Sequence, residues 1–185
     1  MKDFSLFERA LKFADTSQAD LGTISSISRR DFDQLESLVF RAQAPSLEYA
    51  CLMIENALLM RTDRTGRIYA GFEKLSFMQP VIDRYLRIAD ISESVYVFGE
   101  ADWQPPRHPN IRFVKLSPDL RLAREWFLIA DSASFHAALV ARDEDGFEAG
   151  KPDERNFTVF KSSNPNLVTQ LALAVEGMID WSFSS

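Results

Sequence analysis

The chain has 185 residues, enough for one domain with a sizeable core, and its 46% hydrophobic and 26% charged residues describe an ordinary globular composition. A net charge of −6 disfavours nucleic acid as a partner, because phosphate binding draws on clustered Lys and Arg. One cysteine, Cys51, excludes an internal disulfide and a thiolate metal cluster. Seven glycines and eight prolines argue against long flexible linkers. The N-terminus lacks the apolar core and cleavage site of a signal peptide, and no run approaches the roughly 20 apolar residues that span a bilayer, so a cytoplasmic location away from the membrane is expected.

In chain order, Asp3 is expected to cap a helix to about Asp15, with Phe7, Ala10, Leu11 and Ala14 as its apolar stripe. Leu21 to Ile27 alternates weakly and reads as a short strand. Ser28, with Asp31 three residues on, opens a second helix that carries Phe32, Leu35 and Val39 on one face. After the Pro45-Ser46 punctuation, Leu47 to Met60 is a third helix, apolar around most of its circumference. Such a helix is central to the fold or covered by another subunit, and the core reading is favoured, since exposure forfeits roughly 1.5–3 kcal/mol per large side chain.

The turn from Arg61 to Gly66 leads to a strand at Ile68 to Phe72. Pro80 suits the first turn of a helix bearing Val81, Ile82, Tyr85, Leu86 and Ala89, and Val95 to Gly99 is a further strand. Strand, helix and strand in succession imply a crossover and a partly parallel sheet. Strands at Ile111 to Leu116, Trp126 to Ala130, Phe135 to Ala141 and Asn156 to Lys161 follow. Between the last two, Asp143 to Glu154 holds six acids against one lysine and reads as a solvated loop. Asn164-Pro165 opens a final helix with Leu167, Leu171, Val175, Met178 and Ile179 facing inward. The fold class is therefore α/β or α+β: a single mixed sheet of about five to six strands flanked by helices, helical at the N-terminus and closed by a long C-terminal helix, with residues 1–185 forming one domain.

Chemistry is sparse. His108 and His136 have no second metal-ligand type at a recognised spacing, and both read as structural. The chain has no G-x-S-x-G elbow, P-loop or G-x-G-x-x-G, so neither catalytic residues nor a metal site are assigned and no cofactor is indicated. Glu55, inside an apolar helix, and Glu125, beside a buried strand, are expected to form salt bridges to arginines. Arg61, Arg64 and Arg67 could bind an anion but read more simply as a solvated turn. Phe72, Tyr96, Phe98, Trp103 and Trp126 fall at strand ends or in adjoining loops, where ligands of open α/β sheets sit, and either fill the core or line a small-molecule pocket.

Four blocks in a fixed order carry a resemblance: Gly71-Phe72-Glu73-Lys74-Leu75-Ser76, Val95-Tyr96-Val97-Phe98-Gly99, Leu122-Ala123-Arg124-Glu125-Trp126-Phe127-Leu128, and Ser132-x-x-Phe135-x-Ala137-Ala138-Leu139-Val140-Ala141-Arg142. Together they resemble the DICT domain, a sensory domain found with diguanylate cyclases and two-component systems, over most of the chain. The acidic stretch from Asp143 to Glu154 and the strand Asn156-Phe157-Thr158-Val159-Phe160 depart from the family pattern. The resemblance implies a non-enzymatic bacterial signalling module that takes part in light responses and implies no known chromophore. With no output domain expected within the chain, signals would pass by association with a histidine kinase, response regulator or diguanylate cyclase, and a homodimer is compatible with this. A small-ligand or pigment-binding protein with its aromatic pocket at the strand ends is the alternative.

Overall fold

The computed structural model describes residues 2–15, 19–61, 63, 66–146 and 151–184. Eight strands form one sheet, two or three more than expected, in the order β1-β2-β8-β7-β6-β3-β4-β5. These are β1 (Ala19–Thr23), β2 (Ser37–Gln43), β3 (Arg67–Lys74), β4 (Ser94–Glu100), β5 (Ile111–Lys115), β6 (Glu125–Asp131), β7 (His136–Asp143) and β8 (Asn156–Ser162). The helices are α1 (Leu6–Ala14), α2 (Arg29–Gln34), α3 (Ala44–Leu59), α4 (Ile82–Asp90) and α5 (Pro165–Ser184). Strands β3, β4 and β5 run parallel, as the strand-helix-strand pattern implied, and β1 runs parallel to β2 at the other edge. Between these edges the strands from β2 through β8, β7 and β6 to β3 are antiparallel.

The strand with no counterpart in the sequence reading is β2. The spacing of Phe32, Leu35 and Val39 suited a helix, but α2 ends at Gln34, and Leu38, Val39 and Phe40 are consecutive buried residues of a strand covered on both faces. A continuous apolar run satisfies helical and strand periodicity alike, and here long-range pairing with β8 decides. Other boundaries shift for local reasons. Ser5, not Asp3, caps α1, its hydroxyl accepting from Glu8 N at 3.1 Å. Pro45 lies within the first turn of α3 instead of before it, where its missing N–H costs nothing. Pro80 sits in a 3-10 turn, Leu75–Val81, that precedes α4. The expected caps Ser28 and Asn164 do accept from Asp31 N at 3.1 Å and Leu167 N at 3.0 Å.

Side chains alternate across the sheet to build two cores. One face packs against α3 and α4, with Leu47, Ile54, Tyr85 and Ile88 over Phe40, Leu128 and Leu139. The other packs against α1 and α5, with Phe7, Leu171 and Val175 over Phe127, Ile129 and Val140. The apolar circumference of α3 is thus absorbed largely within the chain: Leu47, Ala50, Cys51, Ile54 and Leu58 are buried, whereas Tyr49 stays exposed.

Gly71 in β3 faces the Phe127 ring from the neighbouring strand, and a Cβ there would overlap that ring. Phe127 is buried against Phe98 at 5.5 Å between ring centroids and has nowhere to swing. Gly71→Ala is therefore expected to destabilise the protein by about 1–3 kcal/mol, read as a lowered midpoint in urea unfolding; an unchanged midpoint would show that the ring relocates freely.

Candidate functional site

The carboxyl ends of β1, β2, β3, β4, β5 and β7 and the amino ends of β6 and β8 all lie at one end of the sheet, as the pairing registers require. This is the end at which ligands of open α/β sheets bind. Its polar residues fall into a buried ionic cluster, a helix-capping carboxylate and an open cleft.

The cluster is built on a distortion of β3. The register with β4 shifts between Gly71 and Lys74, and Glu73 within that irregularity takes φ 64, a left-handed conformation uncommon for a residue other than glycine. The turn brings the Glu73 carboxylate into the interior, where Arg155 Nη2 donates to it at 2.8 and 3.1 Å and also donates to Asp143. Glu73, Arg155 and the Asp143 side chain are all buried. Burial pushes the Glu73 carboxyl up to about 7, with Asp143 and Glu100 adding to the rise and Arg155 opposing it. The Arg155 guanidinium lies 5.1 Å from the centroid of the Phe157 ring, which in turn meets Trp126 edge-on at 6.0 Å. Asp143, read in sequence as the start of a solvated acidic loop, is instead an interior group, as is Arg155 just beyond that loop; residues 147–150 of the loop lie outside the described residues.

Glu125 starts β6 on the opposite face. Its carboxylate accepts from the Ser5 hydroxyl, from Leu6 N at 2.8 Å and from Phe7 N at 3.3 Å, so it receives the first turn of α1 instead of the arginine expected. Burial raises its carboxyl to about 7 against the lowering effect of those bonds. Glu55 does find an arginine, Arg84 Nη1 at 2.6 Å.

The cleft, about 750 Å³, opens where the β1 exit, the β2–α3 junction and the ends of β7 and β8 meet. Thr23, Arg41, Thr158 and Arg142 form a cross-strand row that continues to Glu125, each paired with the next in register. Arg41 Nη2 donates to Asp20 at 3.3 Å. Arg142 lies 4.8 Å from the centroid of the Phe7 ring and donates from Nε to Glu144 at 3.1 Å, and Thr158 Oγ1 donates to the same Glu144 oxygen at 2.7 Å.

The sheet divides the five aromatic residues singled out in sequence. Phe72, Trp103 and Trp126 pack on the α3/α4 face, Phe72 buried against Tyr85 at 5.3 Å and the two tryptophans half-buried. Tyr96, stacked on Tyr69 at 5.4 Å, and the fully buried Phe98 lie on the α1/α5 face. The structure thus brings Phe72 beside Trp126, its partner in register, but does not bring all five together. His108 Nε2 lies 2.9 Å from Asp90, and His136 Nδ1 lies 2.9 Å from Asp131, each a local polar pair. Arg61 bonds Asp63 at 3.1 Å and Arg67 bonds Glu176 at 2.7 Å; Arg64 lies outside the described residues.

Sequence reasoning passed over Glu73, Arg155, Arg41 and Arg142. Arginine in the middle of a strand, as Arg41 between Phe40 and Ala42, was the available signal for the cleft; nothing local marks Glu73 or Arg155.

Two of the solved structures to which this chain is similar can be named. They are the crystal structure of polyphosphate kinase from Porphyromonas gingivalis (15% identity over 76% of this chain, TM-score 0.49) and that of Nuc, a phospholipase D family member from Salmonella typhimurium (13% identity, 74% of this chain and 90% of Nuc, TM-score 0.36). This chain covers 23% of the kinase chain. No curated protein matches the sequence. The family model of DICT, the sensory domain in diguanylate cyclases and two-component systems, matches residues 26–144, from just before α2 to the residue after β7. With the four sequence blocks lying in β3, β4, β6 and β7 in the expected order, the chain belongs to the DICT sensory-domain family.

Proposed function

We propose that the protein is a cytoplasmic, non-catalytic sensory module that regulates by binding another signalling protein: a histidine kinase, a response regulator or a diguanylate cyclase. The observation that carries this is the DICT match across residues 26–144. The site chemistry supports it. The most perturbed carboxylates, Glu73 and Glu125, are held by a buried arginine and by a helix terminus, arrangements suited to setting a conformation. Among the described residues no helix is long and apolar enough to cross a membrane. The 185 residues act as one domain in this reading, since β8, beyond the matched segment, fills the gap between β2 and β7. Exposed Tyr49 on α3 and Leu173 on α5 offer apolar contacts to a partner or a second copy.

Biolayer interferometry of the full chain against kinases, response regulators and diguanylate cyclases of its host is expected to find one class bound at about micromolar Kd or tighter. Failure with all three classes, together with a monomer in light scattering, would sink the proposal. A ligand or pigment at the half-buried Trp126 and Trp103 is a second reading, favoured by their position at the ligand-binding end of the sheet; a visible absorption band in protein purified from its host would establish it.

A further inference from the structure

We propose that the cleft bounded by Arg41 and Arg142 is a binding site for a small aliphatic dicarboxylate, and that Glu144 occupies half of it as an internal stand-in. The cleft's volume of about 750 Å³ falls within the range of small-molecule sites. Its two arginines stand on β2 and β7 with β8 between them, so their backbones are about 10 Å apart across two strand spacings. Both side chains line the cleft from the same row, with Thr158 midway. Two guanidinium groups lining one cleft on either side of a hydroxyl suit a molecule with an oxyanion at each end.

The Glu144 carboxylate identifies the chemistry. One of its oxygens accepts from both Arg142 Nε and Thr158 Oγ1, the bonds a ligand carboxylate would receive there. Glu144 is the residue after β7 and is itself partly exposed, so it can be displaced without disturbing the strand. Arg142 is oriented by the Phe7 ring beneath it and keeps its position when Glu144 leaves. Arg41 commits one nitrogen to Asp20, on the far side of the row, and its fork has further donors for the second carboxylate. With Glu144 displaced, each end of the ligand meets one guanidinium, that of Arg41 shared with Asp20. Among the described residues that line the cleft, Phe157 is the one aromatic, a buried ring with no open stacking face, which argues against a nucleobase.

Occupancy has meaning as a sensory input only on the reading above, but it is measured on the isolated protein without a partner, so either can fail alone. Isothermal titration with succinate, glutarate and citrate is the test, with inorganic phosphate and a sugar bisphosphate as comparison arms. Saturable binding of a dicarboxylate is expected, weakened at least about tenfold by Arg41→Gln and by Arg142→Gln, since a charge-assisted bond is removed in each. Glu144→Gln, which lowers the competition, is expected to tighten it severalfold. Circular dichroism of each variant separates loss of binding from loss of fold, and Thr158→Val reports on the same site with the charge unchanged. No saturable heat with any dicarboxylate, tighter binding of the phosphates, binding indifferent to both arginine variants, or weakening by Glu144→Gln would each overturn the proposal.

Discussion

Arg155→Met should cost about 3–5 kcal/mol of stability, because removing the one cation leaves Glu73 and Asp143 as buried carboxylates facing each other. Methionine fills much of the volume, so the loss is chiefly electrostatic. It should be larger at pH 8 than at pH 5, since acid allows the raised Glu73 carboxyl to take up a proton and shed its charge. Urea unfolding at both pH values measures this. A companion triple variant, Arg155→Met with Glu73→Gln and Asp143→Asn, should recover part of the loss. A cost below about 1 kcal/mol in the single variant would show that water reaches the cluster and screens it.

Glu125→Gln should flatten the dependence of stability on pH. Glu125 and Glu73 both have folded-state values of about 7, above the ordinary carboxyl value of 4.5, so the folded protein holds protons that the unfolded chain has released. Their contribution is therefore fully present below about pH 4.5 and is lost as pH rises toward 7, at up to about 1.4 kcal/mol per pH unit for each group. Glutamine still offers a carbonyl to Leu6 N and Phe7 N but cannot ionise. The variant should lose the Glu125 share of the slope between pH 4.5 and 7 while retaining that of Glu73, and should be the more stable protein at pH 8. Denaturation midpoints across this range would show it; parallel curves for wild type and variant would mean that Glu125 stays ionised throughout. At lower pH other carboxylates act in the opposite sense: Glu8, bonded by Arg121, and Asp63, bonded by Arg61, have lowered values and lose their stabilising contribution as they protonate.

Most of the helices and strands were legible because each carries its own signal: Ser28 and Asn164 as caps, the apolar run Trp126 to Ala130, the repeat of Val81, Ile82, Tyr85 and Leu86. β2 was not, since Leu38-Val39-Phe40 fits either periodicity and its strand identity comes from pairing with residues 156–162. The site was less legible still. Glu73 acquires its place from an irregular turn in β3, and Asp143 and Arg155 from a fold that buries the start of a loop whose composition is that of surface and the residue just after it. Of the aromatics read as lying at strand ends, Tyr96 and Phe98 fall inside β4, and alternation across the sheet sends Phe72, Trp103 and Trp126 to one side and Tyr96 and Phe98 to the other. Alternation is visible in sequence only once register is known.

The insertion of β8 between β2 and β7 governs when the protein can fold. Ser37 pairs with Ser162, and the hydroxyls of the two serines lie 2.7 Å apart across 125 positions of chain. During synthesis β2 emerges early and has only β1 beside it, while β3, β4, β5, β6 and β7 can already join one another. The middle of the sheet stays open until residues 156–162 have left the ribosome. Such late closure of distant pairs slows folding and leaves the apolar edges of β2 and β7 uncovered meanwhile, so this nascent chain depends on β8 to hide surface that its earlier strands have already made.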